Sequence, residues 1–173
     1  STGMSDWKMV DDAVEILEKE ATSYAILHCN STYPAPHDEL NLNVLLEMQD
    51  RYDCLIGYSG HEYDLVPSQT AATLGAKIIE KHITLNRDQK GPDHKASMLP
   101  WQWKNMVKNI RALELSLTNK KYVNQAETLN KEAFAKSAIA NHELKIGHIL
   151  TEQDISYKSP GKGIFEHEIT GYI

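Results

Sequence analysis

Short apolar runs alternate with segments of helical periodicity through the first two thirds of the chain, and this alternation constrains the fold most strongly. The runs at 24–29, 54–59 and 77–84 have the length and composition of buried strands. Between these runs, apolar residues recur three and four positions apart, as on one face of a helix. Strands that alternate with helices form parallel sheets, so the pattern predicts repeated β/α units.

The ends of this region extend the repeat. Residues 1–4 are interpreted as the end of a strand that leads into a helix capped by Ser5, and Pro100 suits the first turn of a long amphipathic helix. Four β/α units make half of a (β/α)8 barrel, and half a barrel would leave open sheet edges. We therefore predict an α/β fold for 1–118, the C-terminal half of a TIM barrel, with the other units lying upstream or coming from a partner.

The composition changes after residue 118. Residues 119–133 are polar and are predicted to form a linker. Residues 134–173 contain short alternating segments interrupted by glycine and proline, which is typical of a small β-rich module. The chain is thus predicted to contain a half-barrel, a linker and a second small domain.

Charge and composition exclude several functions. The net charge of −6 disfavours a nucleic-acid partner, which needs a clustered basic face. No apolar stretch reaches the roughly 18 residues of a membrane span, and no charged and apolar leader opens the chain. Cys29 and Cys54 lie in apolar runs and are interpreted as reduced core residues. We expect a cytoplasmic enzyme with no membrane partner.

Two histidines lie at the carboxyl ends of consecutive predicted strands, where a barrel gathers its chemistry. His61 follows the run at 54–59, and His82 lies in the run at 77–84. Strand alternation places Glu80 on the same face as His82. Two imidazole ligands leave other coordination positions of an ion open to water and substrate, which suits Mn²⁺, Mg²⁺, Co²⁺ or Zn²⁺. The alternative is that His61 is a loop residue and His82 a hydrogen-bonded core histidine.

Several short motifs follow one another in order along the chain. They are Ser1-Thr2-Gly3-Met4, Leu27-His28-Cys29, Tyr33-Pro34, Gly57-Tyr58-Ser59-Gly60-His61-Glu62, Leu74-Gly75-Ala76-Lys77-Ile78-Ile79-Glu80-Lys81-His82-Ile83-Thr84-Leu85 and Gly91-Pro92-Asp93-His94. Together they resemble the sialic acid synthase family of transferases, which condense phosphoenolpyruvate with N-acetylmannosamine or a related N-acylated hexosamine. The resemblance implies a chain that begins near the fifth strand of a TIM barrel. It also implies that 134–173 is part of an antifreeze-like (SAF) domain.

The same resemblance implies a metal-assisted reaction. His61 and His82 would be the catalytic residues and would hold a divalent ion, with Mn²⁺ expected first and Mg²⁺ or Co²⁺ as substitutes. The ion would polarise the aldehyde of the open-chain sugar while C3 of phosphoenolpyruvate attacks it. Water then attacks C2, and phosphate leaves.

Substrate-binding positions are also implied by the resemblance. They are Ser1, Ser31, Tyr33, Ser59 and Asp93. The hydroxyls of Ser31 and Ser59 could donate to the phosphate or carboxylate of phosphoenolpyruvate, but cationic partners are still required. Tyr33 and Asp93 would contact the sugar. The alternatives are a packing aromatic for Tyr33 and a solvated loop acid for Asp93.

A homodimer is the assembly that the resemblance implies, with the C-terminal domain covering the barrel of the partner. Many relatives carry Lys-Arg-Pro-Gly where this chain has Lys158-Ser159-Pro160-Gly161. Serine cannot make the charged bidentate contact of that arginine with the sugar. Lys158 or Lys162 is the alternative cation at this position.

Two other functions stay open at this point. The first is a barrel aldolase or hydrolase that uses the same two histidines, and turnover without phosphoenolpyruvate would indicate it. The second is an inactive fragment that serves as a carbohydrate- or partner-binding module. Metal-independent glycan binding by a stable monomer would indicate that second function.

Overall fold

The computed structural model describes residues 1–20 and 23–173, which divide into two compact units, Ser1–Thr118 and Asn119–Ile173. The elements of the first unit are α1 (Trp7–Lys19), β1 (Ala25–Cys29), α2 (Val44–Arg51), β2 (Leu55–Gly60), α3 (Val66–Thr73), β3 (Ile78–Lys81) and α4 (Pro100–Ser116). Those of the second unit are α5 (Gln125–Phe134), β4 (Ser137–Ala140), β5 (Ile155–Lys158) and α6 (Glu166–Ile169). Among the described residues, no helix combines the length and the apolar character needed to cross a bilayer.

A three-stranded parallel sheet forms the centre of the first unit. Its order is β1-β2-β3, so each strand lies beside its neighbour in sequence. Leu27 is aligned with Gly57, and Gly57 with Ile78. Helices α2 and α3 make the crossovers that parallel neighbours require. The prediction of an α/β fold with a parallel sheet is confirmed.

Both edges of this sheet carry a further short extended contact. At one edge, the Thr2 N–H donates to the Leu27 carbonyl at 2.9 Å, beside β1. At the other edge, Ile83 pairs with Met98 in an isolated parallel bridge. The Met98 N–H donates to the His82 carbonyl at 2.9 Å. Residues after β3 thus continue the parallel arrangement over a few bonds, whereas Thr2 contributes one backbone hydrogen bond at the other edge.

Local signals decide where the helices of this unit begin. Helix α1 is capped by Asp6, whose side chain accepts from the Met9 N–H at 2.9 Å, and not by Ser5 as the sequence suggested. An aspartate one position later can satisfy the same free N–H groups, so both positions were compatible with the sequence. Pro100 occupies the first turn of α4, as predicted.

The hydrophobic core of the first unit lies between the sheet and its helices. Its most buried large side chains include Tyr58, Leu45 and Met48. The opposite face of the sheet carries Leu55 and Ile78, which are 56% and 36% exposed. Apolar residues on this second face therefore contact solvent in the described part of the chain.

A buried ion pair joins the carboxyl ends of β2 and β3. Lys81 Nζ lies 2.8 Å from Glu62 Oε1, and both side chains are 0% exposed. Lys81 also donates to the Glu62 carbonyl at 2.7 Å, while Tyr58 and Ser68 donate to the Glu62 carboxylate at 2.9 and 3.0 Å. Burial lowers the pKa of Lys81, and the Glu62 carboxylate opposes that shift. The polar atoms of this pair are thus compensated by several hydrogen bonds.

The second unit has a two-stranded antiparallel sheet in which Ser137 is aligned with Lys158 and Ala140 with Ile155. Helix α5 occupies much of the stretch 119–133 that composition predicted as a linker. It begins with a capping box in which the side chains of Asn124 and Glu127 each accept from the other's N–H. All residues of α5 are exposed, and polar composition does not distinguish such a solvated helix from a linker.

Asp154 fixes the turn that leads into β5. Its Oδ2 accepts from the N–H and the hydroxyl of Thr151, both at 2.8 Å, and lies 2.9 Å from His148 Nε2. The hydrogen bonds from His148 and Thr151 hold the pKa of the Asp154 carboxyl well below its usual range. The carboxylate form is therefore the one that this turn stabilises.

Replacing Lys81 with Met is expected to destabilise the protein by about 3–5 kcal/mol, because the Glu62 carboxylate stays buried without its cation. The double replacement Glu62→Leu and Lys81→Met is expected to recover part of that loss. Urea unfolding measures both. Lys77→Met, at an exposed lysine just before β3, is the matched control and should change stability by less than about 0.5 kcal/mol. Equal effects at positions 77 and 81 would contradict the buried pair.

Asp154→Asn is expected to lower stability at neutral pH and to have a smaller effect at pH 3. The folded-state pKa of Asp154 is depressed, so its stabilisation is present above the unfolded-state pKa of about 3.9 and fades as the pH falls through the folded-state value. Thermal unfolding at pH 6 and at pH 3 measures the difference from wild type. Glu152→Gln, an exposed acid in the same turn, is the control. A difference that does not shrink in acid would refute the assignment.

Candidate functional site

His61 lies directly after β2, and its ring orientation is fixed by the backbone. The residue is 5% exposed, and its Nδ1 lies 2.7 Å from the Asn30 carbonyl oxygen. A carbonyl can only accept, so Nδ1 carries the proton in this hydrogen bond. In the neutral ring, Nε2 then keeps a free lone pair. His61 is thus prepared to bind a cation through Nε2.

His82 lies directly after β3 and faces His61. The two ring centroids are 5.2 Å apart, with an interplanar angle of 77°. The His82 side chain is 35% exposed, and the His82 backbone carbonyl accepts a hydrogen bond from the Met98 N–H. The structure brings the two predicted ligands together at the carboxyl ends of neighbouring strands, and they could offer one nitrogen each to a shared ion.

Tyr33 covers this histidine pair. Its ring centroid is 4.1 Å from that of His61 at an interplanar angle of 30°, and 5.7 Å from that of His82 in an edge-on arrangement. Burial raises the pKa of the Tyr33 hydroxyl, and the nearby Cys29, Asp93 and Glu80 side chains add to the shift. The phenol therefore stays protonated at neutral pH, beside both imidazoles.

Asp93 approaches the same place from the loop that follows β3. Its Oδ2 lies 3.9 Å from His82 Nδ1, and its side chain is 54% exposed. The loop backbone is held by the Ser97 hydroxyl, which donates to the Asp93 carbonyl at 2.7 Å. The carboxylate is thus accessible to a ligand and close to the histidine pair.

Ser59 lies at the end of β2 with its hydroxyl already engaged. Its Oγ donates to Glu80 Oε1 at 2.7 Å, and the residue is 2% exposed. The sequence placed Glu80 on the same face of β3 as His82, and in the structure its carboxylate accepts from Ser59 on the neighbouring strand. The parallel register explains this contact, because Ser59 and Glu80 are aligned directly across β2 and β3.

The two remaining predicted residues lie at the start of the chain and after β1. Ser31 is partly buried, with its Oγ 4.0 Å from Cys29 Sγ, and Cys29 Sγ is in turn 3.8 Å from His61 Nδ1. Ser1 is exposed and lines a small cavity of about 140 Å³ with α1 and β1 residues such as Val14 and Ala25. Ser31 is therefore close to the histidine pair, whereas Ser1 lies beside α1.

Two features of this site were not identified from the sequence. One is the hydrogen bond between Ser59 and Glu80, which joins residues that are distant in sequence. The other is the buried pair of Glu62 and Lys81, each directly adjacent to one of the two histidines. The sequence did contain a signal for this pair. Glu62 follows His61 and Lys81 precedes His82, and the two histidines lie at neighbouring strand ends.

The arrangement has the donors for a divalent cation and a polar organic ligand. Two imidazoles supply nitrogen ligands, and the remaining positions would be open to water and substrate oxygens. The free Nε2 of His61 shows that at least one ring fits this role without rearrangement. Asp93 and Tyr33 add an acceptor and an aromatic wall on the exposed side.

Comparison with known proteins identifies relatives over most of this sequence. The chain is 36% identical over 166 residues to an uncharacterized protein of Methanocaldococcus jannaschii, a match that covers 95% of this chain and 49% of that protein. It is 34% identical over 168 residues to the N,N'-diacetyllegionaminic acid synthase of Campylobacter jejuni, over 95% of this chain and 50% of that enzyme. The chain thus spans about half the length of these curated relatives.

A solved structure and a family match agree with these relatives. The crystal structure of an N-acetylneuraminic acid (sialic acid) synthetase from Leptospira borgpetersenii superposes with a TM-score of 0.66 at 28% identity, covering 74% of this chain and 45% of that chain. The NeuB family matches residues 1–122, which is more than half of the sequence. The resemblance to sialic acid synthases is confirmed, and the chain belongs to the NeuB family.

Proposed function

We propose that this protein is a nonulosonic acid synthase that condenses phosphoenolpyruvate with an N-acylated hexosamine and releases phosphate. The observation that carries the proposal is the pairing of His61 and His82, with ring centroids 5.2 Å apart, at neighbouring strand ends of a NeuB-family chain. Barrel enzymes build their active sites at this end of the strands. The names of the relatives support the same class of reaction.

Activation of the sugar would depend on the histidine pair. A divalent ion bound there, with Mn²⁺ as our first choice and Mg²⁺ or Co²⁺ as substitutes, would supply Lewis-acid polarisation of the open-chain aldehyde. His61 contributes a ring held in one orientation by the Asn30 carbonyl, so little reorganisation is needed on binding. Tyr33 shields one side of the pair from water through its ring contacts.

Recognition of the sugar is assigned to Asp93 and Tyr33. The exposed Asp93 carboxylate, 3.9 Å from His82, can accept hydrogen bonds from hydroxyl groups of a sugar held at the histidines. The Tyr33 ring offers an apolar surface to the same ligand. These contacts would orient the aldehyde carbon toward the attacking carbon of phosphoenolpyruvate.

Binding of phosphoenolpyruvate is assigned to Ser59 and Ser31, with a requirement for cations from elsewhere. Ser59 has one hydroxyl proton, which it donates to Glu80, so it must exchange that bond to bind an anion. The Glu80 carboxylate would also repel a phosphate. We place the missing cations in the half of the relatives' length that this chain does not span, and we keep Ser1 as a substrate-binding residue that would act together with that half.

The half of the relatives' length that this chain does not span would complete the barrel. The exposed sheet face with Leu55 and Ile78 is the face that further strands of a (β/α)8 barrel would cover. We also propose that residues 134–173 are part of an antifreeze-like (SAF) domain in a homodimer. Ser159 donates to the Phe134 carbonyl at 3.0 Å, which is a contact within its own unit. Two free cysteines fit a cytoplasmic location.

The reaction is tested by measuring phosphate release from the intact protein. Release is expected only when phosphoenolpyruvate, an N-acylated hexosamine and Mn²⁺ are all present, and EDTA should abolish it. N-acetylmannosamine, its 6-phosphate and a diacetamido hexose are the acceptors to compare. Turnover without phosphoenolpyruvate would identify an aldolase or hydrolase instead. Metal-independent glycan binding by an inactive monomer would identify a binding module.

His61→Gln is expected to reduce Mn²⁺-dependent phosphate release by more than about 100-fold, since even residues that only support metal ligands contribute about 10–100-fold. Mn²⁺ binding, followed by electron paramagnetic resonance, should weaken in parallel. His37→Gln is the matched control, because His37 is exposed and pairs with Asp64. Unchanged Mn²⁺ affinity in His61→Gln would refute the ligand assignment.

Asp93→Asn is expected to raise the KM for the hexosamine by about tenfold or more, as the loss of a hydrogen bond to a charged group predicts. The KM for phosphoenolpyruvate should stay the same. Steady-state kinetics with each substrate varied in turn measures both. Asp88→Asn, at an exposed acid in the same loop, should leave both constants unchanged. A rise in only the phosphoenolpyruvate KM would contradict the assignment of Asp93 to the sugar.

A further inference from the structure

Three potential metal ligands meet in the second unit. His142, His148 and Asp154 each offer one ligand atom, and these atoms all lie within 4.8 Å of one another. His142 Nε2 is 3.2 Å from Asp154 Oδ1, and His148 Nε2 is 2.9 Å from Asp154 Oδ2. The two imidazole rings are nearly perpendicular, at 87°. One nitrogen from each ring thus converges on a single carboxylate.

We propose that His142, His148 and Asp154 form a Zn²⁺ site that is independent of the histidine pair in the first unit. Two imidazoles and a carboxylate are a donor set that Zn²⁺ binds at about 2.0–2.2 Å. Nitrogen donors disfavour Mg²⁺ and Ca²⁺, which prefer oxygen ligands. The imidazoles are 53% and 37% exposed, so an ion can enter from solvent and complete a tetrahedron with water.

The carboxylate of this site is held in place before any ion binds. Asp154 Oδ2 accepts from both the N–H and the hydroxyl of Thr151, and the Asp154 side chain is only 9% exposed. Hydrogen bonds to one oxygen of a ligating carboxylate fix the direction of the other. Asp154 Oδ1 is therefore the oxygen best placed to bind an ion together with the two rings.

The position of the ligands gives the ion a structural role. His142 follows the end of β4 by two residues, and Asp154 directly precedes β5, so the ion would close the connection between the two strands. The second unit, which is described in full, buries a single hydrophobic side chain, Ile169. Small units with little core are frequently stabilised by a metal ion. Zn²⁺ would thus join the two ends of the β4–β5 connection.

The test is a Zn²⁺ titration of the whole chain in a His61→Gln, His82→Gln background, so that the first unit does not contribute. Calorimetry is expected to give one Zn²⁺ per chain, and the thermal unfolding temperature should rise with Zn²⁺ concentration. His142→Gln and His148→Gln should each weaken binding by at least about tenfold. His167→Gln, at an exposed histidine of the same unit outside the cluster, is the control and should bind normally.

Two results would overturn the proposal. One is the absence of stoichiometric Zn²⁺ binding, which would leave the cluster as a set of hydrogen bonds. The other is binding that His142→Gln and His148→Gln do not change. Circular dichroism without metal checks that these variants are folded. If either is not, ring ¹⁵N shifts of the wild-type histidines on Zn²⁺ addition decide the matter, because His142 and His148 must respond and His167 must not.

Discussion

The parallel pairing of β2 with β3 is the constraint on which the site depends. Its register aligns Ser59 with Glu80 and Gly60 with Lys81. His61 and His82 each follow directly after these strands, so the register places them side by side, with ring centroids 5.2 Å apart. A slip of one residue would send every side chain of one strand to the opposite face. The two imidazoles would then no longer face each other.

The buried ion pair of Glu62 and Lys81 favours this register over registers shifted by one or two residues. Glu62 is adjacent to His61, and Lys81 is adjacent to His82, so the charges and the imidazoles are placed by the same backbone. In the observed register, the Lys81 ammonium reaches both the Glu62 carboxylate and the Glu62 carbonyl. A shifted register would leave buried charges without partners, at a cost of several kcal/mol, on the order of the whole stability of a small domain. The chemistry on one side of the sheet therefore depends on electrostatics on the other.

The sequence predicted those parts of the fold that local periodicity determines. The β/α alternation, the parallel sheet and the first turn of α4 at Pro100 follow from patterns within a few residues. The positions of His61 and His82 at strand ends could be predicted for the same reason. Helix α5 could not, because a fully exposed helix has no apolar stripe and its composition resembles that of a linker.

Contacts between residues that are distant in sequence could not be predicted in the same way. The hydrogen bond from Ser59 to Glu80 depends on the register of two strands. The alternation of apolar and polar residues determines which face of the sheet each side chain is on, but it is equally compatible with registers that differ by two residues. The convergence of His142 on Asp154 depends on how the connection between β4 and β5 folds back. Neither pair is close in sequence, and neither follows a pattern with a fixed period. The sequence therefore indicated the histidine pair, Tyr33 and Asp93, but not the hydrogen bonds and ion pairs that join distant residues around them.

The charges around the histidine pair suit a cation and a sugar better than an anion. Asp93 Oδ2 lies 3.9 Å from His82 Nδ1, and Glu80, two residues before His82, accepts from Ser59, two residues before His61, so two carboxylates lie near the two imidazoles. This negative environment attracts a divalent ion and accepts hydrogen bonds from hydroxyl groups, but it repels a phosphate and a carboxylate. A reaction that joins a sugar to phosphoenolpyruvate at this place therefore needs positive charge from a source other than the two strand ends. Under the proposed function, the strand ends of this chain would hold the ion and the sugar, while cations from the rest of a barrel would neutralise the anion that Ser59 and Ser31 contact.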